Sequence, residues 1–145
     1  MSNQNSAPHL AAAKINQLFP AFKPKIGIVL GSGLGNFVES LTAITSLKYD
    51  EFIGFPKLTV QGHSGNIVLG KIGTTDIVCL QGRAHSYEGT NYETVKTYVR
   101  MLHILGCEYF LATNAAGSMR EDVVPGELML ITDHFNTTCR GFYCF

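Results

Sequence analysis

Short apolar runs separated by glycine-rich turns dominate this chain. Ile26-Gly27-Ile28-Val29-Leu30, Asn66 to Ile72, Asp76 to Leu80, Tyr109 to Thr113 and Leu128 to Thr132 are apolar, often β-branched or aromatic, and bounded by turn residues. Apolar runs this short predict strands, and the first and fourth read as strands buried on both faces. Gly73-Thr74-Thr75 predicts a hairpin with a three-residue connection between the second and third runs. Helical spacing appears twice. Leu10, Ala11, Ile15, Leu18 and Phe19 recur at near-helical intervals, and Pro20 and Pro24 stop that pattern. Further on, Val95, Tyr98, Val99 and Leu102 form one face of a helix, with Lys96, Arg100 and His103 on the other. Thr90-Asn91-Tyr92-Glu93 is a capping box at its start, and Gly106 is placed to end it. Phe37 to Leu47 is only weakly amphipathic, and Gly54-Phe55-Pro56 and Pro125-Gly126 mark turns. Residues 1–9 read as a loose leader. The alternation of strands and helices predicts an α/β fold, a mixed or parallel β-sheet flanked by helices.

Composition narrows the partners more than the fold. At 145 residues the chain is about one domain and can bury roughly 68–70% of its unfolded surface. Hydrophobic residues at 46% against charged residues at 15% argue for a packed core. The formal net charge is zero and no basic run is present, so neither nucleic acid nor a membrane surface is an expected partner. Any bound anion is expected to be small and held by local geometry. Cys79, Cys107, Cys139 and Cys144 form no CxxC pair, and no metal-ligand spacing is present, so no metal is expected. The polar start lacks the apolar centre of a signal peptide, and no run approaches transmembrane length. These features predict a reduced, cytoplasmic protein.

The chemistry gathers where strands end. Asp76 to Leu80 runs into Gln81-Gly82-Arg83-Ala84-His85-Ser86-Tyr87-Glu88-Gly89. Arg83 carries a permanent charge and can grip an oxyanion with two parallel donors, and His85 can donate to the same anion. Ligands of open α/β sheets bind beyond the carboxyl ends of strands, so this stretch reads either as an anion site or as a surface loop with an Arg–Glu contact. Leu30 leads into Gly31-Ser32-Gly33-Leu34-Gly35-Asn36, a turn that either reverses the chain or turns backbone N–H groups toward an anion. Asn36 stands where a dinucleotide fingerprint needs glycine, and no P-loop Lys-Ser or Lys-Thr pair follows. Gln61-Gly62-His63-Ser64-Gly65 sets a histidine between glycines, on a turn or on a loop that closes over a ligand. Asn114-Ala115-Ala116-Gly117-Ser118 is small enough for a ligand to approach the backbone, or for a tight turn alone.

Five pieces in order carry a resemblance. Ile28-Val29-Leu30-Gly31-Ser32-Gly33-Leu34-Gly35, Gly62-His63-Ser64-Gly65, Gln81 to Gly89, Thr113-Asn114-Ala115-Ala116-Gly117, and Pro125-Gly126-Glu127 with Asp133-His134 resemble the N-terminal half of purine nucleoside phosphorylases of the homotrimeric class. The resemblance covers about residues 10–136 and implies a nucleoside phosphorylase-like α/β fold, incomplete in this chain. It implies that residues 10–136 are the N-terminal part of a single phosphorylase domain and residues 137–145 a divergent tail. The implied reaction is purine nucleoside plus phosphate to purine base plus ribose 1-phosphate, with phosphate as co-substrate and no cofactor. By motif, Ser32, His63, Arg83, Ala84, His85 and the backbone N–H of Ala115 would hold phosphate. Tyr87 would contact the ribose, and Glu88 would orient the catalytic imidazole of His85.

The resemblance also implies what this chain lacks. In the family, the second half supplies a glutamate and an asparagine that read the purine, a further phosphate-binding serine and a histidine on the ribose. After Asn136 the family continues into a Gly/Asn-Pro-Leu loop, whereas this chain reads Thr137-Thr138-Cys139-Arg140-Gly141-Phe142-Tyr143-Cys144-Phe145. The expectation is a truncated or frame-shifted form with weak or no activity, or else a non-catalytic fragment that binds phosphate or a nucleotide. Loss of one donor to the leaving base costs about 3–4 kcal/mol of transition-state stabilisation.

Overall fold

The computed structural model describes residues 5–56, 65–83 and 92–135. They divide into two compact units, residues 1–115 and 116–145.

The first unit holds all the regular structure among the described residues. In chain order it runs α1 (Ala7–Leu18), β1 (Ile26–Leu30), a 3-10 segment (Gly35–Ser40), β2 (Thr42–Lys48), a short 3-10 turn (Tyr49–Glu51), β3 (Asn66–Ile72), β4 (Thr75–Gln81), α2 (Tyr92–Ile104) and β5 (Tyr109–Ala112). The sheet order is β2-β3-β4-β1-β5. β1 lies parallel to both β4 and β5, with Leu30 opposite Gln81 and Val29 opposite Ala112. β3 is antiparallel to β2 and β4, with Asn66 opposite Gln81. The sheet is therefore mixed, and the carboxyl ends of β4, β1 and β5 lie side by side with the start of β3.

Period-two alternation divides the apolar runs between two layers. Val29, Ile67, Leu69, Val78 and Leu80 join Ala11, Ala12 and Ile15 of α1 and Tyr98, Met101 and Leu102 of α2 in the main core. Ile28, Leu30, Val68, Ile77 and Cys79 face the other way and pack with Leu41. Burial on both faces explains why β1, β3 and β4 are apolar at consecutive positions. Full burial of a side chain such as Ile67 or Leu80 contributes about 1.5–3 kcal/mol. Gly27 lets α2 close on the sheet, because a Cβ there would stand 2.7 Å from the Leu102 side chain.

Local signals set most element ends. α1 starts at Ala7, three residues before Leu10, with Pro8 in its first turn, where a missing N–H costs nothing. α2 ends as expected at Gly106, whose φ is +96°. The Gly106 N–H donates to the His103 carbonyl at 3.0 Å and the Cys107 N–H to the Leu102 carbonyl at 3.1 Å, the paired bonds of a Schellman motif. His103 is exposed, as its place on the polar face predicts. Thr90 and Asn91 of the capping box lie outside the described residues.

Four expectations change in the first unit. Ile72 pairs with Thr75, so the hairpin connection is Gly73-Thr74, two residues long, and Gly73 takes the positive φ (+58°) such a tight turn demands. On α2, Val99 is 37% exposed while Met101 is fully buried; the buried stripe is rotated from the expected face. The weakly amphipathic stretch 37–47 is a 3-10 segment followed by β2, paired along β3. β5 forms but is exposed along its length, with Tyr109 at 62% and Phe110 at 50%. Among the described residues it is an edge strand bonded to β1 alone, and neither core cluster includes it.

In the second unit, residues 116–135 contain turns and no strand. Pro125-Gly126 makes the expected turn: the Glu127 N–H donates to the Val124 carbonyl at 3.2 Å, and Gly126 has φ +96°. Leu128 to Thr132 is not a strand among the described residues. Leu128 and Leu130 are 94% and 88% exposed, and a β-run without a neighbouring strand has no ladder to join. No helix among the described residues is long and apolar enough to cross a membrane.

Candidate functional site

The carboxyl end of β1 is the middle of the site. Gly31 to Leu34 form a turn closed by the Leu34 N–H on the Gly31 carbonyl at 3.2 Å, with Gly33 at φ +80°. A residue with a side chain resists that φ, so glycine sets the turn and leaves the Ser32 side chain exposed at its tip.

β5 delivers the second turn against the first. Thr113 Oγ1 accepts the Gly31 N–H at 3.0 Å and donates to the Val29 carbonyl at 3.2 Å. The Thr113 N–H donates to the same Val29 carbonyl at 3.0 Å. The approach is so close that a Cβ on Gly31 would stand 2.3 Å from the Thr113 carbonyl oxygen. Ala115, two residues beyond this lock, is exposed.

β4 delivers the third. Gln81 Nε2 donates to the Gly35 carbonyl at 3.0 Å, tying the β4 end to the glycine-rich turn. Gln81 Oε1 also accepts from Asn66 Nδ2 at 3.4 Å, across to the start of β3. The chain then leaves the sheet through Gly82, at φ +101°. Arg83 follows; it is half-buried, and its Nε is buried without a hydrogen-bond partner among the described residues. Its charge is felt at Tyr98: burial pushes that phenol up, and the nearby guanidinium opposes the shift.

Of the residues singled out in the sequence, the fold thus brings the strand ends bearing Ser32, Arg83 and Ala115 to one edge of the sheet. His63, Ala84, His85, Tyr87 and Glu88 lie outside the described residues. β3 begins beside the end of β4, with Asn66 opposite Gln81. A permanent cation and a glycine-rich turn at converging strand ends suit a small oxyanion. Two concavities among the described residues lie elsewhere. One of about 400 Å3 involves Leu18, Phe22, Lys71 and Asp76, at the opposite end of the β3–β4 hairpin. Another of about 580 Å3 lies between α1 and α2, at Ser6, His9, Arg100 and His103.

Thr113 and Gln81 escaped the sequence reading as ordering residues. Both stand directly at strand ends beside the motifs, which is the signal that could have marked them. Their bonds span 82 and 46 positions of chain, so local pattern could not show them.

Comparison with known proteins gives the family. The chain is 44% identical over 126 residues to purine nucleoside phosphorylase 1 of Bacillus subtilis, covering 87% of this chain and 46% of that protein. It is 43% identical over 114 residues to the Anopheles gambiae purine nucleoside phosphorylase, covering 79% of this chain and 32% of the other. Isoform 2 of the Schistosoma mansoni enzyme, solved with cytosine and ribose-1-phosphate, superposes with a TM-score of 0.71 at 38% identity. That match covers 81% of this chain and 41% of the solved one. The chain therefore spans less than half the length of these relatives. Matched over residues 25–145 by the family's own sequence model, and similar in sequence and fold to purine nucleoside phosphorylases, the chain belongs to the phosphorylase superfamily.

Proposed function

We propose that the protein is a purine nucleoside phosphorylase, a pentosyltransferase of nucleoside salvage, and that these 145 residues carry its phosphate corner. One observation carries the reading. Two hydrogen-bond locks, Gly31–Thr113 and Gly35–Gln81, bring the ends of β1, β5 and β4 together, and those ends bear Ser32, Ala115 and Arg83. Relatives similar to this chain are purine nucleoside phosphorylases, one of them solved with ribose-1-phosphate.

The chemistry follows from the donor set. Breaking a glycosidic bond leaves a ribosyl centre of oxocarbenium character. Phosphate held beneath C1′ stabilises that positive charge and then forms the new C–O bond, while the bonding pair of the old C–N bond leaves with the purine. The phosphate must be oriented yet remain nucleophilic. Arg83 supplies the full charge, and the Ser32 hydroxyl, the Ala115 N–H, Ala84, His63 and His85 supply neutral or switchable donors around it. Glu88 orients His85, and Tyr87 contacts the ribose. The working assembly is a cytoplasmic homotrimer that uses phosphate as co-substrate and needs no cofactor.

These 145 residues span less than half the length of their relatives, and the groups assigned in them are those of the phosphate side. The isolated chain is therefore expected to bind inorganic phosphate and to turn inosine over far more slowly than the longer relatives do. Calorimetric titration with phosphate, beside an assay for hypoxanthine release from inosine, tests both halves. Phosphate binding abolished by Arg83→Ala supports the site, and unchanged binding in that variant discards it. Turnover equal to that of the Bacillus subtilis relative would overturn the limit placed on this chain.

A further inference from the structure

Tyr49 belongs to none of the five motifs, yet it grips two of the segments that carry them. It follows β2 directly, and its ring is 97% buried, edge-to-face on Phe55 with centroids 5.2 Å apart. Phe55 in turn packs near Tyr98, the residue beside Arg83. A phenol this deep needs a partner for its O–H. It donates to the Gly82 carbonyl at 2.8 Å, on the residue just before Arg83. At its other end the Tyr49 N–H donates to the Gly65 carbonyl at 2.7 Å, the closing residue of the Gly62-His63-Ser64-Gly65 segment. Both accepting residues are glycines in the left-handed region, Gly65 at φ +55° and Gly82 at φ +101°. One residue bonds both.

We propose that Tyr49 is a positioning residue for the anion site: it joins Gly65, just before β3, to the root of Arg83 and sets the direction in which Arg83 leaves the sheet. The phenol is removed from the anion by one residue of backbone, so it acts through Arg83 and not on phosphate itself. Packing alone would need only the ring. The O–H on Gly82 adds the directional element, fixing a peptide plane whose rotation would swing the Arg83 side chain. This inference rests on the phosphate reading of Arg83.

The test is the intact 145-residue chain titrated with inorganic phosphate at low temperature, in wild-type, Tyr49→Phe, Phe52→Leu and Arg83→Ala forms. Tyr49→Phe keeps the ring and deletes the donor. It is expected to weaken phosphate binding about tenfold. Phe52→Leu loosens the same aromatic cluster without touching the bond to Gly82, and is expected to lower the melting temperature while leaving phosphate affinity within twofold. If Tyr49→Phe binds phosphate as wild type does while Arg83→Ala does not, the Tyr49 inference falls and the phosphate site stands. If wild type binds no phosphate, both fall together. A second measurement needs no variant: hydrogen exchange at the Tyr49 amide should slow at least threefold on saturation with phosphate. Unchanged exchange on saturation would overturn the link between Tyr49 and the site.

Discussion

Thr113 and Gly31 are locked to one another by the first side-chain hydroxyl beyond β5 and the first backbone N–H beyond β1, 3.0 Å apart. The same hydroxyl donates to Val29, so one Oγ joins two strand ends as acceptor and donor at once. Thr113→Val keeps the shape and removes both bonds, leaving the Gly31 N–H unpaired. We expect a loss of about 1–3 kcal/mol in urea unfolding, with Thr113→Ser losing less. Gly31→Ala is expected to cost about 3 kcal/mol or more, because the new Cβ would meet the Thr113 carbonyl oxygen and Asn114 Cα, backbone atoms with little freedom to yield. An unchanged midpoint for either Thr113→Val or Gly31→Ala would show that the two turns are not locked as described.

Asp76 gives stability an acid limb. It pairs with Lys71 across the β3–β4 hairpin at 2.8 Å and accepts the Lys23 N–H at 2.8 Å. Burial alone would push its carboxyl up, but Lys71 and the Lys23 N–H outweigh that and hold it below the usual range. A carboxyl lowered in the folded state favours folding fully above its unfolded pKa of about 3.9, and that contribution disappears as pH falls through the folded value. Wild-type stability should therefore drop faster below about pH 4 than that of Asp76→Asn, the two curves converging in acid. Parallel curves in urea unfolding from pH 7 to pH 2 would assign the limb to other carboxyls.

Cys79 is fully buried in the sheet, and burial pushes its thiol up to about 12; at Cys107 burial pushes it up to about 11. Alkylation needs an accessible thiolate. Iodoacetamide at pH 8 should leave Cys79 unmodified in the native protein and modify it in urea, read by peptide mapping. Equal labelling in both states would contradict the packing of β4.

The exposed β5 edge carries Tyr109, Phe110 and Leu111 at 62%, 50% and 46% exposure. An unpaired apolar edge invites pairing with other chains. The isolated chain should self-associate as concentration rises, and Phe110→Lys should shift that onset to higher concentration in light scattering. Identical scattering from both proteins would show that association, if any, uses another surface.

Much was written locally. The 3.6-residue spacing and proline stops located α1, Gly106 closed α2, and consecutive apolar residues between glycines located β1, β3 and β4. These features depend on neighbours a few positions apart, so they survive in the bare sequence. The five motifs in order were also legible, and with them the family. Their residue types limit the chemistry: a fixed cation, small hydroxyls and glycine turns point to an oxyanion without any distance being known.

Tertiary structure decided what depends on partners far along the chain. β2 has no strong pattern of its own and exists through its ladder with β3. Tyr109-Phe110-Leu111 reads like β1 in sequence, yet position at the sheet edge leaves it exposed, while Leu128 to Thr132 lacks a ladder altogether. Thr113 on Gly31, Gln81 on Gly35 and Tyr49 on Gly82 are long-range bonds between side chains and backbone. No periodicity records such bonds, because their energy is realised only when the sheet has set its strand order and register. The sequence named the groups that would hold an anion; the fold determined which strand ends meet and which buried residues keep them in place.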